Sequence, residues 1–112
     1  MHLAPCYHAP LLAEIRRVAK PSSPITVDEV DMAIVFRRWL ADPLNPNLCD
    51  LIWGEQGNVH GEEVAEFDKH CSGFTEGSLR SLLELHGFRV LTRISIHAPG
   101  VWYALTLSVV KS

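Results

Sequence analysis

Residues 73–110 read GFTEGSLRSLLELHGFRVLTRISIHAPGVWYALTLSVV, and the order of signals within them decides the fold. Thr75 is an N-cap residue type. Leu79, Leu82, Leu83 and His86 fall on one helical face at i, i+3, i+4 and i+7. Gly87 stands where a left-handed C′ residue ends a helix, and Phe88 takes the next place, where an apolar side chain folds back onto the last turn. The period then drops to two. Phe88, Val90, Thr92, Ile94 and Ile96 are expected on one face of a strand, and Arg89, Leu91, Arg93, Ser95 and His97 on the other. Ala98-Pro99-Gly100 turns the chain, and Val101 to Val110, rich in β-branched and aromatic residues, returns antiparallel.

Upstream, Pro10 suits the first turn of a helix whose apolar stripe is Leu11, Leu12, Ile15, Val18 and Ala19 and which Pro21 stops. Ile25 to Val27 reads as a strand. Asp28 and Asp31 are both plausible N-caps for an amphipathic helix in which Met32, Val35, Phe36, Trp39 and Leu40 share a face. Asp42-Pro43-Leu44-Asn45-Pro46-Asn47 ends that helix. Leu48 to Trp53 is apolar but too short for periodicity to choose between helix and strand. Glu62 to Lys69 has the pattern of a further helix, with Val64, Ala65 and Phe67 inward.

The same segments carry a resemblance to a family. GFTEGSLRSLLELHGF resembles the stretch that opens the last helix and sixth strand of class I S-adenosylmethionine (SAM) dependent methyltransferases of the methyltransferase-11 type. Leu12-Ala13-Glu14-Ile15-Arg16-Arg17-Val18-Ala19-Lys20-Pro21 is similar to that family's helix after strand four, although Ser22-Ser23-Pro24 stands where the family has Gly-Gly. Ile25-Thr26-Val27-Asp28-Glu29-Val30-Asp31 is similar to its fifth strand, and Gly54-Glu55-Gln56-Gly57 with His70 to the segment beside the methyl acceptor. The resemblance implies an α/β fold: a small mixed sheet with strands in the order 5-7-6 of a Rossmann-like methyltransferase, a C-terminal antiparallel hairpin, and flanking helices. It also places Trp53, Gln56 and His70 on the acceptor side of the cleft, as low-ranking substrate-binding residues. It gives no catalytic residue.

The chain contains none of the family's SAM-binding features, which are an acidic strand end before a Gly-x-Gly-x-Gly turn, a second acidic strand end for the ribose, and an acidic residue before strand four. No cofactor is therefore expected on the isolated chain. The expectation is one domain over residues 1–112, similar to the C-terminal half of a methyltransferase. Without strand four, strand five has a bare edge, and the apolar side of the Met32 to Leu40 helix is partly uncovered. A homo-oligomer, specifically a two-fold dimer, is the expected result; a separate N-terminal methyltransferase half is the alternative partner.

Composition narrows the remaining classes. Ten basic and thirteen acidic residues give a formal charge of −3 without a basic block, so a nucleic-acid footprint is missing. Three cysteines, an odd number with no CxxC spacing, favour free thiols in a reducing cytoplasm. MHLAPCYHAP has neither a charged n-region nor an apolar core, and no run of about eighteen apolar residues occurs, so export and membrane spanning are not expected. His60, Asp68, His70 and Cys71 are residue types that ligate zinc or act as base and nucleophile. Their spacing fits no established metal motif, and loop packing is the commoner role of such groups. No metal site is expected. Gly54, Gly57 and Gly61 lack the strand–turn–helix context of a phosphate cradle.

Overall fold

The computed structural model describes residues 2–54, 69–95 and 103–112. After a 3-10 turn, Pro5–Tyr7, the elements are α1 (His8–Val18), β1 (Ile25–Val30), α2 (Met32–Ala41), α3 (Pro46–Trp53), α4 (Glu76–Leu85), β2 (Phe88–Ser95) and β3 (Ala104–Lys111). The protein is a mixed α/β structure built on a three-stranded sheet in the order β1-β3-β2. Both pairings are antiparallel, Ile25 to Val30 against Val109 to Ala104 and Phe88 to Ser95 against Lys111 to Leu105. The expected antiparallel pairing of the last two strands is present. The expected mixed sheet is not: β1 and β2 run the same way but never touch, because β3 lies between them.

Alternation on β3 sets the layers. Leu105, Leu107 and Val109 are buried on one face, where they meet Leu79 and Leu83 of α4 and Phe88 of β2. Leu12 and Ile15 of α1, Ile25 and Val27 of β1, Phe74 and Val90 close over this cluster. On the other face stand Thr26, Asp28, Thr106 and Ser108, and Thr106 Oγ1 donates to Asp28 Oδ1 at 2.6 Å. One side of the sheet is therefore covered by α1 and α4, and the other carries these polar residues at its middle with Val30 and Val110 buried towards its ends. Val30, Met32 and Val35 form a second, smaller cluster with Leu51, Ile52 and Tyr103.

Local chemistry explains most element ends. Thr75 Oγ1 accepts from Ser78 N, and Ser78 Oγ accepts from Thr75 N, so α4 opens with a reciprocal capping box. Asp31 caps α2 by accepting from Ala33 N. That leaves Asp28 inside β1, which runs three residues beyond Val27. Asn45 caps α3 and Pro46 occupies its first turn, which settles Leu48 to Trp53 as helix. α1 begins at His8, earlier than Pro10, because Pro10 needs no N–H partner anywhere in the first turn. The helix expected at residues 62–69 lies outside the described residues apart from Lys69, as do Ile96 and His97.

Gly87 has φ +87°, the left-handed conformation expected of it, and its N–H bonds the Glu84 carbonyl, one of the two bonds of a Schellman ending. The position is crowded as well. A Cβ there would lie 2.4 Å from Arg16 Nε, since Arg16 reaches across to the carbonyls of Gly87 (3.4 Å) and Ser112 (3.1 Å).

β2 departs from simple alternation. Val90 faces Val109 and Thr92 faces Ser108, so Leu91 is an extra residue in the ladder. Beyond such a bulge every side chain changes face. Ile94 pairs with Thr106 on the polar side and is 58% exposed, while Arg93 pairs with Leu107 on the helix side. Arg93 Nε there meets Glu76 Oε2 at 3.0 Å. The expected grouping of Phe88, Val90, Thr92, Ile94 and Ile96 on one face thus fails after Val90.

Ile94→Glu is expected to change stability by less than about 0.5 kcal/mol, as at an exposed site, whereas unbroken alternation would bury that charge. A melting-temperature loss above about 8 °C would contradict the bulge. Gly87→Ala is expected to cost about 1 kcal/mol for its positive φ and more for the Arg16 contact. Combining it with Arg16→Ala should remove the steric part only, as urea denaturation of the single and double variants would show.

Candidate functional site

The segment after Lys69 returns along the ends of α2 and α3 and forms one wall of a cleft. Backbone bonds fix it: Gly54 and Lys69 form an antiparallel bridge, His70 N donates to Trp53 O at 3.1 Å, and Met32 N donates to Phe74 O at 3.0 Å. Between these anchors His70 turns its ring to α3, with Nδ1 2.8 Å from the Leu51 carbonyl. A carbonyl only accepts, so Nδ1 carries a hydrogen, and in the neutral ring Nε2 is the acceptor nitrogen. Leu51 lies in the last turn of α3, where carbonyls lack partners inside the helix, and the imidazole serves one of them. The His2 ring stands edge-on to His70 with centroids 4.7 Å apart.

The cleft has a volume of about 440 Å³. Met32, Phe36, Ile52 and Phe74 supply its apolar wall, and His70, Ser72, Thr75 and Ser78 its polar one. Sequence reasoning singled out His70 but missed Ser72. Ser72 Oγ donates to Leu3 O at 3.1 Å and lies 3.5 Å from His8 Nε2, drawing the N-terminal segment over the loop. No sequence signal marks a serine for such a contact across the fold. Thr75 and Ser78 are engaged in the α4 capping box.

The other expected site residues do not join His70 there. Trp53 stacks edge to face on Trp39, with centroids 5.7 Å apart at 78°, and does not line the cleft. Gln56, His60 and Asp68 lie outside the described residues. Cys71 lines the cleft, and its exposed thiol is 3.8 Å from the Lys69 carbonyl. Cys6 is exposed, and His8 packs against the Phe74 ring at 5.4 Å. Among the described residues no three or more His, Cys, Asp or Glu side chains come together. Among the described residues that line the cleft there is no carboxylate.

Two other surfaces stand out. β1 pairs with β3 on one side, and among the described residues no strand pairs with its other side. The apolar stripe expected on α2 is only half buried: Met32 and Val35 belong to the smaller cluster, but Phe36 is 46% and Leu40 73% exposed. Leu44, just beyond the helix, is 90% exposed. Trp39 is half buried, with its indole Nε1 shielded and without a hydrogen-bond partner. No helix among the described residues is long and apolar enough to cross a membrane.

The His70 geometry predicts a two-bond ¹H–¹⁵N spectrum at neutral pH in which Nδ1 is the protonated nitrogen of the neutral ring. His70→Ala, which leaves the Leu51 carbonyl without this donor, should cost about 1 kcal/mol in denaturant unfolding.

Comparison with protein families, curated proteins and solved structures found no match to this chain.

Proposed function

We propose that this chain is a non-catalytic association domain that pairs with a second copy of itself, built on the C-terminal half of a class I methyltransferase fold. The observation that carries the proposal is the side of β1 with which no strand among the described residues pairs. A strand edge presents a row of backbone donors and acceptors that readily takes another strand. β1 runs six residues without an internal proline or a bulge. Phe36, Leu40 and Leu44 add exposed apolar area close by in sequence. In the cleft, in contrast, the described side chains of His70, Ser72, Thr75 and Ser78 hold backbone groups of the fold.

The methyltransferase ancestry draws support from the strand order. The resemblance implies strands five, seven and six side by side with the last two antiparallel, and β1, β3 and β2 stand in that order with β2 and β3 antiparallel. Because His70 lines an apolar cleft, a second reading is an acceptor-side half that becomes active beside a separate polypeptide carrying the SAM-binding half. Under both readings the chain alone does not hold SAM.

Light scattering on the pure chain is expected to give twice the 12.5 kDa chain mass, and calorimetric titration with SAM no saturable heat. A monomer at every concentration up to the millimolar range would overturn the association reading. Saturable SAM binding would overturn the view that these residues alone do not hold SAM.

A further inference from the structure

The way β1 sits in the sheet restricts how two copies can meet, and its side chains choose among the remaining arrangements. Asp31 N donates to Tyr103 O at 2.8 Å, one step beyond the Val30–Ala104 pair. In an antiparallel ladder, hydrogen-bonded and non-hydrogen-bonded pairs alternate. Glu29, Val27 and Ile25 are therefore the residues whose backbone groups point to β3, and Thr26, Asp28 and Val30 point theirs to the open edge. A second β1 running antiparallel about a two-fold axis perpendicular to the sheet keeps the same faces together, so residues of like parity stand opposite.

Four centres inside β1, Thr26 to Glu29, satisfy that rule without leaving most of the strand unpaired. Centring on Thr26 sets Asp28 against Pro24, which has no N–H to give. Centring on Asp28 places two Asp28 carboxylates directly opposite, and centring on Glu29 does the same with two glutamates; like charges so placed are destabilising. Centring on Val27 avoids both like-charge pairs and moves Pro24 out to the last pair, opposite Val30, so that only the terminal bond is lost beyond two complete Thr26–Asp28 pairs. Val27 then meets its own copy on the helix-covered side, Ile25 meets Glu29, and each Thr26 hydroxyl stands opposite the other copy's Asp28. Asp28 already accepts from Thr106, and a carboxylate has further lone pairs for a second hydroxyl.

We infer that two chains join through antiparallel β1 edges with the two-fold axis at Val27, giving a continuous six-stranded sheet in which Thr26 and Asp28 exchange backbone and side-chain hydrogen bonds. This inference rests on the self-association reading and adds the interface and its register to it. The contact is isologous and closes on itself, so it ends at a dimer and does not propagate. It also removes both exposed β1 edges at once.

Cysteine cross-linking tests the register in a background in which Cys6, Cys49 and Cys71 are each replaced by serine. Opposed residues in such a ladder have Cα atoms about 4.5–5.5 Å apart, within disulfide range. Thr26→Cys and Asp28→Cys chains, co-expressed with tags of different size, should link to each other under mild oxidation, and neither should link to itself. Val27→Cys should link to itself. Self-linking of Asp28→Cys would overturn the register in favour of a centre at Asp28. A dimer by light scattering without the Thr26–Asp28 link would overturn the edge interface while leaving self-association standing, whereas a monomer would remove both.

Discussion

Everything in this fold leans on β3. It is the one strand among those described with a neighbour on each side, and Leu105, Leu107 and Val109 are shielded from water almost completely. These three alternate with Thr106 and Ser108, so one element supplies the centre of the core and the middle of the polar face. α4 and α1 reach the core only through β3 and its neighbours, and β1 and β2, which never touch, are held in one sheet by it. Loss of a β3 side chain on the inner face opens a cavity that both helices and both outer strands border, and a rigid, densely packed interior fills such a gap only in part.

A second constraint ties the ends of the chain to this centre. Gly87 closes α4 in a conformation that L-residues avoid, and its carbonyl receives both the Ser112 backbone N–H and the Arg16 side chain. Arg16 also reaches the Ser112 carbonyl. A helix stop, a strand end and the first helix therefore meet at one glycine. The space that a Cβ would need is the space through which the guanidinium passes. The methylene stem of Arg16 contributes packing there as well as charge.

The functional surfaces follow from what the sheet leaves uncovered. With three strands and two helices over one face, the protein covers its main core but leaves, among the described residues, the outer edges of β1 and β2 unpaired and the outer side of α2 exposed. The His70 cleft arises differently, from the return of the chain across the ends of α2 and α3. Its polar groups mostly serve the fold: His70 holds the Leu51 carbonyl, Ser72 holds Leu3, and Thr75 with Ser78 starts α4. Side chains already committed to helix ends and loop anchors are poorly placed to do chemistry as well. The backbone edge of β1 carries no such commitment on its outer side among the described residues.

The sequence by itself determined the elements whose signals are local. Thr75, the leucine spacing of α4, Gly87 and the β-branched run of β3 each act within a few residues, so the helix, its stop and the antiparallel return were legible, as was the Met32 and Val35 side of α2. Tertiary structure decided the rest. Asp28 or Asp31 as N-cap was open in sequence because both have the right side chain; Asp28 lost because β3 offers it a strand partner and the Thr106 hydroxyl. The bulge at Leu91 was invisible for a related reason. It depends on how β2 registers against β3 and lets Arg93 meet Glu76, and no residue within β2 encodes those partners. The edge-to-face packing of Trp53 on Trp39 and the contact of His70 with the Leu51 carbonyl likewise join residues that are distant in sequence. Local propensity sets which elements form, whereas pairing between distant residues sets which way their side chains face, and that pairing exists only once the chain has folded.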